Sequence, residues 1–144
     1  MLSTLVSLGG LLLSTHVLAG NTEIDAAQVP LQHYVLAHAT GNPELIHQAF
    51  AEGARVTGHI NGELISWSVA EYAARFTGKP AADESQRSRS FEILDLAGDA
   101  AVAKVVLDYP TVRFVDHMAL LKVAGQWRIV GKSFHAQAKA RPQP

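Results

Sequence analysis

The residues best placed to do chemistry in this chain are polar groups set among apolar ones. Asp116 and His117 interrupt the run from Val112 to Leu121, the most apolar part of a strand-like stretch. A carboxyl group there is costly to bury unless it is hydrogen-bonded or protonated. Asp116 is thus a candidate acid or base within a pocket, or an acceptor for a neighbouring helix or subunit. Side chains alternate along a strand, so only one of the pair can face inward. His117 reads as an interface histidine, while which of the two faces the pocket stays open. Tyr34 lies with Leu31, Val35 and His38 on one helical face, where a buried hydroxyl needs a partner. His38 meets Tyr34 only by reaching one turn along the helix. His59 precedes a hairpin turn and is a candidate proton carrier if it reaches a pocket mouth. Phe50, Trp67, Tyr72 and Phe76 are core residues by type and candidate pocket walls by position.

Several chemistries are excluded. The seven histidines show no H-x-H, H-x-x-x-H or H-E-x-x-H spacing, so no metal site is expected. There are no cysteines, which removes thiol catalysis and thiolate ligands. No nucleophile elbow, phosphate loop or dinucleotide fingerprint occurs, so no cofactor is implied. With 12 Lys+Arg against 13 Asp+Glu, the chain lacks the positive footprint of a nucleic-acid binder.

The elements that must position these residues fit a single domain of 144 residues. Asp25 reads as a helix cap, with Pro30 in the first turn and Gly41 ending the helix. Asn42, Pro43 and Glu44 open a second helix, whose stripe Leu45, Ile46, Ala49 and Phe50 runs to a stop at Gly53. The period then changes to two. Two short strands flank Asn61-Gly62, a strong hairpin signal. Ser68 to Glu71 is a capping box opening a short helix that buries Val69, Tyr72, Ala73 and Phe76. Residues 81–87 read as a mobile polar loop. A four-stranded antiparallel meander follows over about 88–96, 100–109, 111–122 and 126–135, with 136–144 a frayed tail.

Helices followed by a long sheet give an α+β fold: a cone-shaped roll of curved antiparallel sheet with the N-terminal helices in its concave face. The outer face carries Val102 and Val106, which suggests a homodimer through that surface. Residues 1–19 have no charged side chain, an apolar block and a Val17-Leu18-Ala19 cleavage pattern. They read as a signal peptide for periplasmic or secreted export, too short to span a bilayer. Residues 20–28 are then a lead-in to a domain at 29–135.

The order of elements resembles the superfamily of nuclear transport factor two, ketosteroid isomerase and the polyketide cyclase SnoaL, and within it the branch described as putative lumazine-binding. The resemblance rests on Tyr34, Gly41-Asn42, Ala49-Phe50, Ile60-Asn61-Gly62, the segment Ile93 to Lys104, Phe114-Val115-Asp116, Leu120-Leu121-Lys122 and Gly125 to Val130 with Lys132 and Phe134. It implies a small-molecule ligand. It also places Tyr34 at the oxyanion-hole tyrosine of the isomerase and a protonated Asp donor at Asp116 or His117. The isomerase's general-base Asp falls on Gly58, with His59 adjacent.

Three functions follow as expectations. The first is an exported domain binding a small, partly apolar molecule that Tyr34 and Asp116 orient. The second is an isomerase, dehydratase or cyclase in which Tyr34 and Asp116 polarise a carbonyl and His59 moves a proton. The third is a non-catalytic dimeric interaction domain with a filled cone.

Overall fold

A computed structural model describes residues 15–140, with side chains described from residue 22 onward. The chain forms α1 (Thr15–Thr40), α2 (Pro43–Ala49), β1 (Phe50–Ile60), β2 (Glu63–Ser68), α3 (Val69–Ala73), a 3-10 turn (Glu84–Gln86), β3 (Ser88–Ala97), β4 (Ala100–Asp108), β5 (Val112–Val123) and β6 (Gln126–Ala138). The strands make one curved, unclosed six-stranded sheet in the order β2-β1-β6-β5-β4-β3. All neighbours are antiparallel except β1 and β6, which run parallel.

Helix α1 starts well before the expected Asp25 cap and carries Pro30 in its interior. Packing explains this. The fully buried stripe Ala27, Leu31, Tyr34 and Ala37 already begins before the proline, and burial against the sheet overrides local cap and breaker signals. Glu23 adds an anchor one turn earlier, accepting from Lys122 Nζ (2.8 Å) and Trp127 Nε1 (3.2 Å). The expected leader, residues 1–19, lies almost wholly outside the described residues, apart from the backbone at the start of α1.

Three further boundaries differ from the sequence reading. Helix α2 is capped by Asn42 as expected, its side chain accepting from Glu44 N–H at 3.0 Å. It ends at Ala49 rather than Gly53, because Phe50 is already extended and pairs with Ile129 of β6. Gly53 instead sits in β1 at φ +82, where the register shifts between Phe50 and Arg55. The 81–87 segment contains the 3-10 turn, pinned by Arg87 to Asp83 (2.8 Å) and Arg89 to Glu84 (2.5 Å). Residues 136–138 are not frayed, since Ala136 pairs with Phe114 and Ala138 with Val112.

The core lies between the helices and the concave face. Leu31, Tyr34 and Ile46 meet Val105, Leu107, Met118, Leu120 and Ile129, all 2% exposed or less. Burying each such side chain contributes roughly 1.5–3 kcal/mol. On the convex face Leu94, Val102 and Leu121 remain exposed.

Candidate functional site

A polar cluster sits inside this apolar layer, and its members come from five stretches of chain. Tyr34 and His38 descend from α1, Tyr72 from α3, Asp116 from β5 and Lys132 from β6, with Tyr109 just beyond β4. The Tyr34 hydroxyl donates to Asp116 Oδ2 at 2.7 Å. Lys132 Nζ lies 3.0 Å from the same oxygen, donates to the Tyr34 hydroxyl and is 3.3 Å from that of Tyr72. The two tyrosine hydroxyls are 3.2 Å apart. His38 links outward, with Nε2 3.0 Å from the Tyr72 hydroxyl and Nδ1 3.1 Å from that of Tyr109.

These contacts fix which way each proton points. Tyr34 has one proton and gives it to Asp116, so in the Tyr34–Tyr72 contact Tyr72 donates. The Tyr72 oxygen then accepts from His38, which makes Nε2 the protonated nitrogen of a neutral ring. Nδ1 accepts from Tyr109. The chain therefore runs Tyr109 to His38 to Tyr72 to Tyr34 to Asp116 and ends on a carboxylate beside an ammonium.

The electrostatics agree with that polarity. Burial, with the positive charges of Lys132, Arg89 and Arg87, holds the His38 ring well below its ordinary pKa. Burial and then the charge of Asp116 hold the Tyr34 hydroxyl well above its own. Burial alone would push the Lys132 ammonium down, but Tyr72 and Asp116 outweigh it and keep it above its usual value. A carboxylate and an ammonium so deeply buried persist only as a pair. Asp116 Oδ1 is left buried and unpartnered.

Above the cluster opens a cavity of about 430 Å³. His38, Tyr72 and Lys132 line its buried end, and Trp67, Phe76, Phe114 and Phe134 contribute walls. Trp67 is near-parallel to Tyr72 (18°) and Phe134 (12°), at centroid distances of 6.1 and 6.3 Å. A volume of this size suits a small molecule.

Of the residues singled out in the sequence, His38, Trp67, Tyr72 and Phe76 line the cavity. Tyr34, Phe50 and Asp116 are buried and none of them lines the cavity. Tyr34 and Asp116 support it from behind. Asp116 accepts from Tyr34, so its Oδ2 is not the donor the isomerase resemblance implies. His59 is exposed. The inward positions of β1 are Val56, Gly58 and the cavity-lining Ile60, so alternation turns His59 to the opposite face. Gly58 cannot carry the missing base either, because a Cβ there would lie 2.7 Å from the Phe134 ring. His117 is exposed on the convex face. Among the described residues no group of three or more His, Asp or Glu side chains could hold a metal ion.

Sequence reasoning missed Lys132 and Tyr109. Lys132 had the same signal as Asp116, a charge in the apolar run Ile129 to Phe134. Strict alternation from Trp127 and Ile129 would have pointed it outward. The β5–β6 register jumps between Ala119–Gly131 and Leu120–Ile129, leaving Val130 unmatched. That bulge shifts the inward positions of β6 from odd to even numbers.

Residues 22–135 match the model of the family described as putative lumazine-binding, and the chain belongs to that family. Among solved structures, it is similar to an NTF2-like protein of Silicibacter pomeroyi DSS-3, at 27% identity and a TM-score of 0.70 over 82% of this chain and 98% of that one. An NTF2-like protein of Shewanella baltica OS155 matches at 24% identity and a TM-score of 0.73, covering 88% and 99%. The chain is also 23% identical over 119 residues to a protein named aldolase FrzH from a Cladobotryum species, covering 81% of this chain and 93% of the relative.

Proposed function

We propose that this member of the putative lumazine-binding family binds a small, partly apolar molecule bearing a carbonyl or hydroxyl oxygen. The aromatic walls bury its apolar body, and its oxygen accepts a hydrogen bond from Lys132. The observation that carries this reading is the placement of the Lys132 ammonium. It is 6% exposed as a residue yet borders the cavity. Two of its N–H groups are held by Tyr34 and Asp116, and its longest contact, 3.3 Å to Tyr72, is the one a ligand oxygen can displace. Mass spectrometry of small molecules carried through native purification tests it. A bound compound is expected with the wild type, reduced in Tyr34→Phe and lost in Lys132→Met. A compound retained equally by all three would overturn the role of Lys132.

A second reading is carbonyl chemistry, favoured by a buried ammonium that can stabilise a developing oxyanion and by the name of the Cladobotryum relative. In that reading Lys132 polarises the carbonyl, and His38 in place of His59 relays the proton. Deuterium exchange beside the carbonyl of 2-tetralone, followed by NMR, separates the readings. Protein-dependent exchange lost in Lys132→Met supports catalysis, and exchange at the buffer rate leaves binding alone.

We further propose export and homodimerisation. Export is supported by the leader-like composition of residues 1–19 and by a family match that begins at residue 22. Homodimerisation is supported by the exposed Leu94, Val102 and Leu121 on the convex face. No helix among the described residues is long and apolar enough to cross a membrane.

A further inference from the structure

We infer that the ligand is an acid: a flat aromatic carboxylate, or a compound of like shape and charge, with its anionic end at Arg75 and Lys79 and its inner oxygen at Lys132. This rests on the pocket reading above and narrows it to a substrate class.

The cavity's charges are one-sided. Arg75, Lys79, Arg87 and Lys132 line it, and among the described residues no Asp or Glu does. The chain as a whole is nearly neutral, at −1, so this is no by-product of a basic protein. Two of the four cations already have partners, Arg87 with Asp83 at 2.8 Å and Lys132 with Asp116 at 3.0 Å. Arg75 and Lys79, both exposed at the open end, have no carboxylate within salt-bridge distance among the described residues.

For Arg75 this lack of a partner is built into the chain. Arg75 lies in the turn just past α3, and Glu71, four residues earlier, is the nearest carboxylate in the sequence. Glu71 is turned away, because Oε2 accepts from the Ser68 backbone N–H at 2.7 Å to close the capping box. Arg75 instead lies over the Trp67 ring, 4.0 Å from its centroid. That contact holds the guanidinium against an aromatic wall with its N–H edges open to a carboxylate, the geometry that suits bidentate recognition. Trp67 in turn is near-parallel to Phe134, and Lys132 Nζ sits 5.3 Å from the Phe134 ring. A flat ring lying along these walls would have a cation at each end.

Calorimetric titration of the full chain with 6-hydroxy-2-naphthoate and with its neutral amide tests the inference. The acid is expected to bind at least tenfold more tightly than the amide, with a preference that shrinks as salt is raised. Arg75→Gln should bring the acid down to the level of the amide, while Lys132→Met weakens both. Equal binding of acid and amide by the wild type would overturn the acid assignment and leave the pocket reading standing. An acid preference that survives in Arg75→Gln would overturn the role of Arg75. If neither compound binds, this inference fails together with the reading it rests on.

Discussion

On the concave side of β5, Asp116 is fully buried, bonded to Tyr34 and paired with Lys132. One residue on, His117 stands exposed on the convex side. The two faces treat polar groups in opposite ways. Inside, nearly every hydrogen-bonding atom is committed to another, and five residues, two of them from α1, form one directional chain. Outside, a polar side chain meets water and needs no protein partner. A group's energetic weight therefore depends on what else must be desolvated with it, and not on its type.

The sharpest way to break this comparison is to remove one half of the buried pair. Asp116→Ala, leaving the Lys132 ammonium uncompensated, should destabilise the fold by roughly 3–5 kcal/mol in urea unfolding. Replacing both, as Asp116→Leu with Lys132→Met, should cost less than Asp116→Ala alone, because no lone buried charge remains. A double variant costing the sum of the two singles would show that the pair does not act as a unit.

A smaller effect comes from His38. Its folded-state pKa lies below the unfolded value of about 6.5, so the unfolded chain binds the proton first as pH falls. Its contribution to stability is complete above that unfolded value and is lost progressively as pH drops toward the folded one. The slope should be at most about 1.4 kcal/mol per pH unit for one proton, and His38→Gln should flatten it. A slope unchanged in that variant would assign the acid sensitivity to other groups. The smallest effects are expected outside: His117→Ala and His59→Ala should each change stability by no more than about 0.5 kcal/mol. A loss of several kcal/mol at His117 would show that the convex face is covered in solution.

Much of the site could be read from single residues. Asp116 stands out because a carboxyl group in an apolar run needs a partner, and Tyr34 because a buried hydroxyl does too. Here each is the other's partner at 2.7 Å. The capping box at Ser68, the Asn61-Gly62 turn and the Asn42 cap were likewise legible, since each depends on neighbours a few residues apart. The sequence leaves open which face His59 takes, because the inner side of β1 is set by its parallel pairing with β6. That contact joins chain segments more than seventy residues apart and leaves no local mark.

The sequence by itself determined the meander, the helical stripe and the identity of the groups that must not be buried alone, because periodicity and desolvation act residue by residue. Tertiary structure decided which charges meet. The unmatched Val130 shifts the inward parity of β6 and carries Lys132 from the outer face that strict alternation gives it to the pocket end, beside Asp116. A bulge of one residue reverses every side chain beyond it, and its position is set by the strand across the ladder, which no alternation pattern within β6 records.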